Sequence, residues 1–271
     1  MRAGTMRGAS AEARAGLGDT LGKGGTLADA AKTGEELFGV VRILRSDAAL
    51  RRVLTDSSVD EEARTGLAET IFGKAVDDNT MKVLSDAASR RWTTSGDLPD
   101  ALEQMAVLST VRSAGKDGSQ VGDELFAVRR MIDANPELRS ALSDQTRSLE
   151  DRTGLLDGLL EGKTHDATML LVREAVSRGQ GTVGSVLERY LELTAEALDE
   201  AVATVHTARE LSDAEQERLV AALSKQYGTD VQLHVVVDPG LVGGMRVQIG
   251  DDVIDGTVAS RLDEARRKLA S

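Results

Sequence analysis

The segment ELFGVVRILRSDAALRRVLTDSSVDEEARTGL, starting at Glu36, returns as ELFAVRRMIDANPELRSALSDQTRSLEDRTGL, starting at Glu124. The offset is 88 residues, and 14 of the 32 ungapped positions are identical. Anchors beyond the segment keep the same offset: Thr80-Met81 match Thr168-Met169, and Ser89-Arg90 match Ser177-Arg178. Two unrelated stretches rarely share this many residues in one register. A tandem duplication over roughly 34–115 and 122–203 is the reading that constrains the chain most.

Each copy has a helical period. Leu37, Val41 and Leu44 fall on one face, as do Leu125, Val128 and Ile132 in the second copy. A short second helix follows, capped by Asp47 in copy one and opened by Asn135-Pro136 in copy two. Ser58 precedes Glu61 at capping-box spacing and predicts a third helix. Met81, Leu84 and Ala88 mark a fourth, and Asp97-Leu98-Pro99 opens a fifth. The Gly/Ser-rich stretch SAGKDGSQVG (113–122) reads as the linker between copies. The last helix of copy two begins near Val183 and meets no Gly or Pro to stop it at Leu198.

Near Ala208 the pattern changes. Ser212 and Glu215 have capping-box spacing, and the helix they open ends before Gly228. VQLHVVV (231–237) reads as a strand, MRVQI (245–249) as a second and Val253-Ile254 as a short third. Thr257 then caps a final helix with Val258, Leu262, Ala265 and Leu269 on one side. The predicted fold is mainly α: a duplicated helical-bundle region, then a small α/β C-terminal domain with a short β-sheet. The expected divisions are 1–115, 116–205 and 206–271.

Composition narrows the function. With only six aromatic residues, the core is aliphatic and suits helix-on-helix packing. A net charge of −12 argues against nucleic acid, whose binding needs cationic side chains to neutralise phosphates. There is no cysteine and no apolar run near the ~20 residues that span a bilayer. The N-terminus lacks the apolar stretch of a signal peptide. No cofactor and no direct membrane insertion are expected.

DPGLVGGMRVQIGDDVIDG (238–256) holds five glycines in nineteen residues, yet a strand and not a helix follows Gly243-Gly244. A phosphate loop needs a helix N-terminus there and usually a lysine. DGLLEGKT (157–164) resembles the end of a P-loop, but Asp157 stands where the first glycine belongs. His165, His206 and His234 show no metal-ligand spacing. No catalytic constellation stands out, so a protein that binds and holds is expected. An enzyme is not.

The stretch VDPGLVGGMRVQIGDDVIDGTVASRL resembles the delta subunit of bacterial F-type ATP synthases, the oligomycin-sensitivity-conferring protein of mitochondria. Asp238, Pro239, Leu241, Gly243, Gly244, Gly250, Asp251, Ile254, Asp255, Gly256, Arg261 and Leu262 match that family's pattern as they stand. Gly240 and Thr257 replace its usual serines, and Ala259-Ser260 its common Arg-Gly pair. ANPELRSAL (134–142) and ELSDAEQERL (210–219) are also similar, so the likeness covers about 124–271. Removing one 88-residue period leaves 183 residues, close to the usual length in that family. The extra copy resembles the long form of actinobacterial members.

The resemblance implies a non-catalytic stator subunit in the peripheral stalk. Its partners would be the N-terminal helices of the alpha subunits of the catalytic head and the b-type stalk subunit. Its place would be peripheral, on the cytoplasmic face of the cell membrane. The stripe Val258, Leu262, Ala265 and Leu269 would meet the stalk or pack on its own sheet. The alternative is a free α-helical adaptor that binds amphipathic partner helices.

Overall fold

The computed structural model describes residues 6–21, 26–179, 181–198, 200–227, 230–241, 243–249 and 252–258. The chain divides into two compact units, residues 1–194 and 195–271.

The first unit contains helices α1 (Ala9–Leu21), α2 (Leu27–Ser46), α3 (Ala48–Thr55), α4 (Glu61–Phe72), α5 (Asp78–Ser89) and α6 (Asp97–Ser113). There follow α7 (Gly118–Ala134), α8 (Pro136–Ser143), α9 (Leu149–Leu160) and α10 (Asp166–Ser177). The last is α11 (Val183–Leu198), whose final residues belong to the second unit. Helices α8, α9 and α10 repeat α3, α4 and α5 residue for residue at the 88-residue offset. Helix α11 starts 86 residues after α6 because the loop before it, 178–182, is two residues shorter than loop 90–96.

The period also maps α1 onto α6, since Ala9 lies 88 residues before Asp97. Helix α6 therefore has two roles. It packs against α1 and α2 as the sixth helix of copy one, and against α7 and α10 as the first helix of copy two. Each copy is a six-helix set, and the two sets share α6. Between Leu98 and Val111 every residue of α6 except Asp100 is buried. A helix covered on all sides carries no amphipathic stripe.

Caps follow the sequence in part. The Asp47 carboxylate accepts the N–H groups of Ala49 and Leu50 at 2.9 Å each, so α3 starts as expected. Thr26 and Asp29 form a full capping box at α2. Ser58 does not cap α4: the N-cap is Asp60, and the Ser58 hydroxyl donates to Asp56 at 2.7 Å in an Asx turn. Asn135 sits at the N-cap of α8 but its amide donates back to Met131 O, so Pro136 alone favours the start. The expected linker shrinks to a single 3-10 turn, Gly115–Asp117, because Val121 and Gly122 are buried as part of α7.

The second unit is a four-stranded sheet in the order β2-β1-β3-β4 with α12 (Asp213–Tyr227). Strand β1 (Glu200–Thr207) pairs parallel with β2 (Asp230–Val237) and antiparallel with β3 (Met245–Ile249). Strand β4 (Asp252–Asp255) pairs antiparallel with β3. The β1–α12–β2 crossover is what a parallel pair needs. Ala203, Val205, Leu223, Val231, Val247 and Ile249 form its core. Strand β1 corrects the sequence reading, in which α11 ran on past Leu198. The backbone leaves the helix there because AVATVHT, rich in β-branched residues, has parallel and antiparallel partners to pair with.

Candidate functional site

Two regions carry the structure's specific chemistry, one in each unit. In the second unit it is the glycine-rich stretch. Val237 leaves β2, and Asp238 donates its N–H to Thr207 O at 2.7 Å. The Asp238 carboxylate accepts the Gly240 N–H at 2.9 Å, and its carbonyl accepts the Leu241 N–H at 3.1 Å, closing the turn that holds Pro239. Gly243 (φ +154°) and Gly244 (φ +80°) follow, both in the half of backbone space that suits glycine.

Gly244 lies against the chain leaving β4. A Cβ there would overlap Gly256 O and come within 2.8 Å of Thr257 Cα. Two backbone bonds clamp this crossing: Gly256 N–H to Met245 O at 2.9 Å and Val258 N–H to Gly243 O at 3.0 Å. Asp255 accepts the Thr257 N–H at 3.0 Å and its hydroxyl at 2.7 Å, and Arg246 lies 3.4 Å away. The Thr257 bonds and the Arg246 charge hold the Asp255 carboxyl below its usual value. Glycines here serve close backbone approach.

Of the motif residues, Asp238, Pro239, Leu241, Gly243, Gly244, Ile254, Asp255 and Gly256 are thus brought into one turn-and-crossing element. Gly250, Asp251, Arg261 and Leu262 lie outside the described residues, as do Ala265 and Leu269 of the proposed stripe. Val258, the first of that stripe, is exposed, as are Val253 and Ile254 on β4.

The first unit holds a buried polar cluster that the sequence did not flag. Glu103 on α6 is 1% exposed. Its carboxylate accepts two bonds from Arg45 on α2, at 3.1 and 2.9 Å. It also accepts the Tyr190 hydroxyl from α11 at 2.9 Å, and Arg178, just past α10, lies 3.4 Å away. Asp100 pairs with Arg45 at 2.9 Å. Burial pushes the Glu103 carboxyl up, but Arg45, Arg178 and the Tyr190 hydroxyl outweigh it and leave the group below its usual value. Tyr190 is fully buried and pushed well up by burial and by Glu103, so it stays a neutral donor.

This cluster joins both copies through the shared helix. On α11 a second glutamate, Glu188, pairs with Arg129 of α7 at 3.3 Å, but on an exposed face. One sequence signal could have found the cluster: Glu103 and Gln104 are long polar residues inside the one helix that both copies claim.

Among the described residues no group of His, Asp and Glu has metal-binding spacing, and no helix is long and apolar enough to cross a membrane. Residues 104–269 match the family model described as the ATP synthase delta (OSCP) subunit. The ATP synthase subunit delta of Nocardioides sp. is 44% identical over 98% of this chain and 98% of its own. That of Streptomyces coelicolor is 40% identical over 98% and 99%, and that of Nocardia farcinica 40% identical over 89% and 90%. The family model begins inside α6, so it spans copy two and the sheet unit, whereas the bacterial relatives span both copies. The chain belongs to the ATP synthase delta (OSCP) family, a structural and not a catalytic subunit of the synthase.

Proposed function

We propose that this chain is the stator link between the catalytic head of the synthase and its b-type stalk, and that it resists the torque of rotation during proton-driven ATP synthesis. The helical unit would take the N-terminal helices of the alpha subunits. The sheet unit would take the stalk, through the stripe that starts at Val258, and the complex would place the chain peripherally at the cytoplasmic face of the membrane. The observation that carries this reading is the shared helix. Two bundles with separate cores could be pulled apart at a linker, whereas here α6 is buried by both copies and Glu103 binds residues of both. A part that transmits force without chemistry needs a continuous core more than it needs a pocket.

The test is reconstitution. Membranes stripped of this chain should lose proton-driven ATP synthesis and recover it when the full chain is added back. An immobilised alpha N-terminal peptide should capture the full chain, and a b-type fragment should capture it independently. Failure to co-purify with the head from solubilised membranes would sink the proposal.

A further inference from the structure

The two copies do not meet only at α6. Beside it, α2 of copy one faces α10 of copy two across a cavity of about 370 Å³. Phe38, Val41 and Arg45 line one side, and Glu174, Ser177 and Arg178 the other. The α2–α6 contact is different in kind: Gly34 lets α2 lie directly on Thr110 and Ala106 of α6. At the mouth of the cavity Arg42 donates to Glu174, 2.5 Å apart. Arg42 is half exposed and Glu174 mostly covered. The repeat supplies no second example of this pair, because Glu174 corresponds to Asp86, which binds Thr20 and Arg90 within copy one.

We infer that Arg42–Glu174 is a latch, and that the α10 end of copy two swings off α2 about the shared helix α6 when the latch opens. Three features of the seam support this. It is hollow, so parting it breaks few close contacts and forfeits little dispersion energy. Apart from Phe38 and Val41 its lining is charged or hydroxylated, and water can solvate those groups as they separate. Its axle is close-packed and buried, so it stays in place. The inference concerns the helical unit alone and stands whether or not the chain binds the partners proposed above.

The test is native-state hydrogen exchange on the full chain. Arg42→Ala should speed exchange of the Ala175–Ser177 amides and of the first turns of α11 by about twofold to fivefold, the range for one partly exposed ion pair. Amides of α3 and α4, which do not touch the seam, should keep their rates. The charge-swapped pair R42E/E174R should return exchange toward the wild-type rate, a recovery that simple loss of packing would not give. Unchanged rates at α10 in Arg42→Ala, equal acceleration in α3 and α4, or no recovery in the swap would each overturn the latch.

Discussion

Glu36 and Glu124 stand 88 residues apart and do one job: each carboxylate accepts the backbone N–H of the residue before the fifth helix of its copy, Asp77 at 2.8 Å and His165 at 2.8 Å. The ELF segment that first exposed the duplication is therefore held in both copies by a long-range cap. It joins the second helix of each copy to the start of the fifth. Glu124 also accepts from Thr168 at 2.6 Å and Gln120 at 2.7 Å. Burial pushes its carboxyl up, and these donors hold it below the usual value. Glu124→Ala leaves the His165 N–H and the Thr168 hydroxyl without their acceptor. It should cost about 2 kcal/mol and lower the Tm by about 5 °C, read by thermal unfolding. Because the folded-state pKa is depressed, the contribution is present above the unfolded pKa and is lost as pH falls through the folded one. The gap between wild type and Glu124→Ala should therefore narrow below about pH 4.

Glu103 and Glu188 give a controlled comparison, since each is a glutamate paired with an arginine across two helices, the first buried and the second exposed. Glu103→Ala leaves Arg45 and Arg178 with only the partly exposed Asp100 as a partner and the buried Tyr190 hydroxyl without its acceptor, and should cost about 3 kcal/mol. Glu188→Ala, on an exposed pair with Arg129, should change stability by less than about 1 kcal/mol. Chemical denaturation of both variants checks this; equal costs would show that the buried cluster does not hold the copies together. The Glu103 carboxyl is also held low, so its contribution too persists at neutral pH and disappears in acid.

Much of the first unit was legible from period and caps. Helices α3 to α5 fall close to where the sequence places them, α3 by the Asp47 cap and α5 by its Met81, Leu84 and Ala88 stripe, and the 88-residue period carries all three onto α8 to α10. The double role of α6 was not legible. A helix buried on all sides has no stripe to read, and its partners come from sequence positions as distant as Arg45 and Tyr190. The missing strand β1 has a similar cause: Glu200–Thr207 follows an Ala- and Leu-rich helix with no breaker, and only its pairing with β2 and β3 decides for strand. At Ser58 the capping-box spacing was present, but the hydroxyl donates to Asp56 and the helix starts after Asp60.

The start of α12 carries a pH signature. Ser212 donates its N–H to Glu215 at 2.9 Å, and Arg209 lies 2.6 Å from the same carboxylate. The Arg209 bond, then those from Ser212, pull the Glu215 carboxyl down to about 2. A carbon-detected NMR titration should place its midpoint well below those of the other glutamates. Arg209→Ala should move the midpoint up toward the ordinary value. The depressed pKa means that the capping contribution is intact from neutral pH down to the unfolded-state pKa, and fades only as pH falls further toward 2.

Gly244 is where the family motif becomes a steric requirement. Its φ of +80° is one that side chains rarely adopt, and a Cβ would overlap Gly256 O and press on Thr257 Cα at 2.8 Å. Backbone on both sides is pinned by the Gly256–Met245 and Val258–Gly243 bonds, so neither strand can shift to make room. Gly244→Ala should destabilise the sheet unit by about 2–3 kcal/mol through backbone strain and overpacking. Gly240→Ala, at a negative φ with only the Asp238 carboxylate 3.1 Å from its Cβ, should cost less than about 1 kcal/mol. The measurement is the amide spectrum of the full chain under mild denaturant. In Gly244→Ala the signals of β1 to β4 should be lost first while those of α2 to α6 persist. If Gly244→Ala kept the sheet as stable as Gly240→Ala does, the glycine pair would have to owe its place to a partner's approach and not to the crossing beneath it.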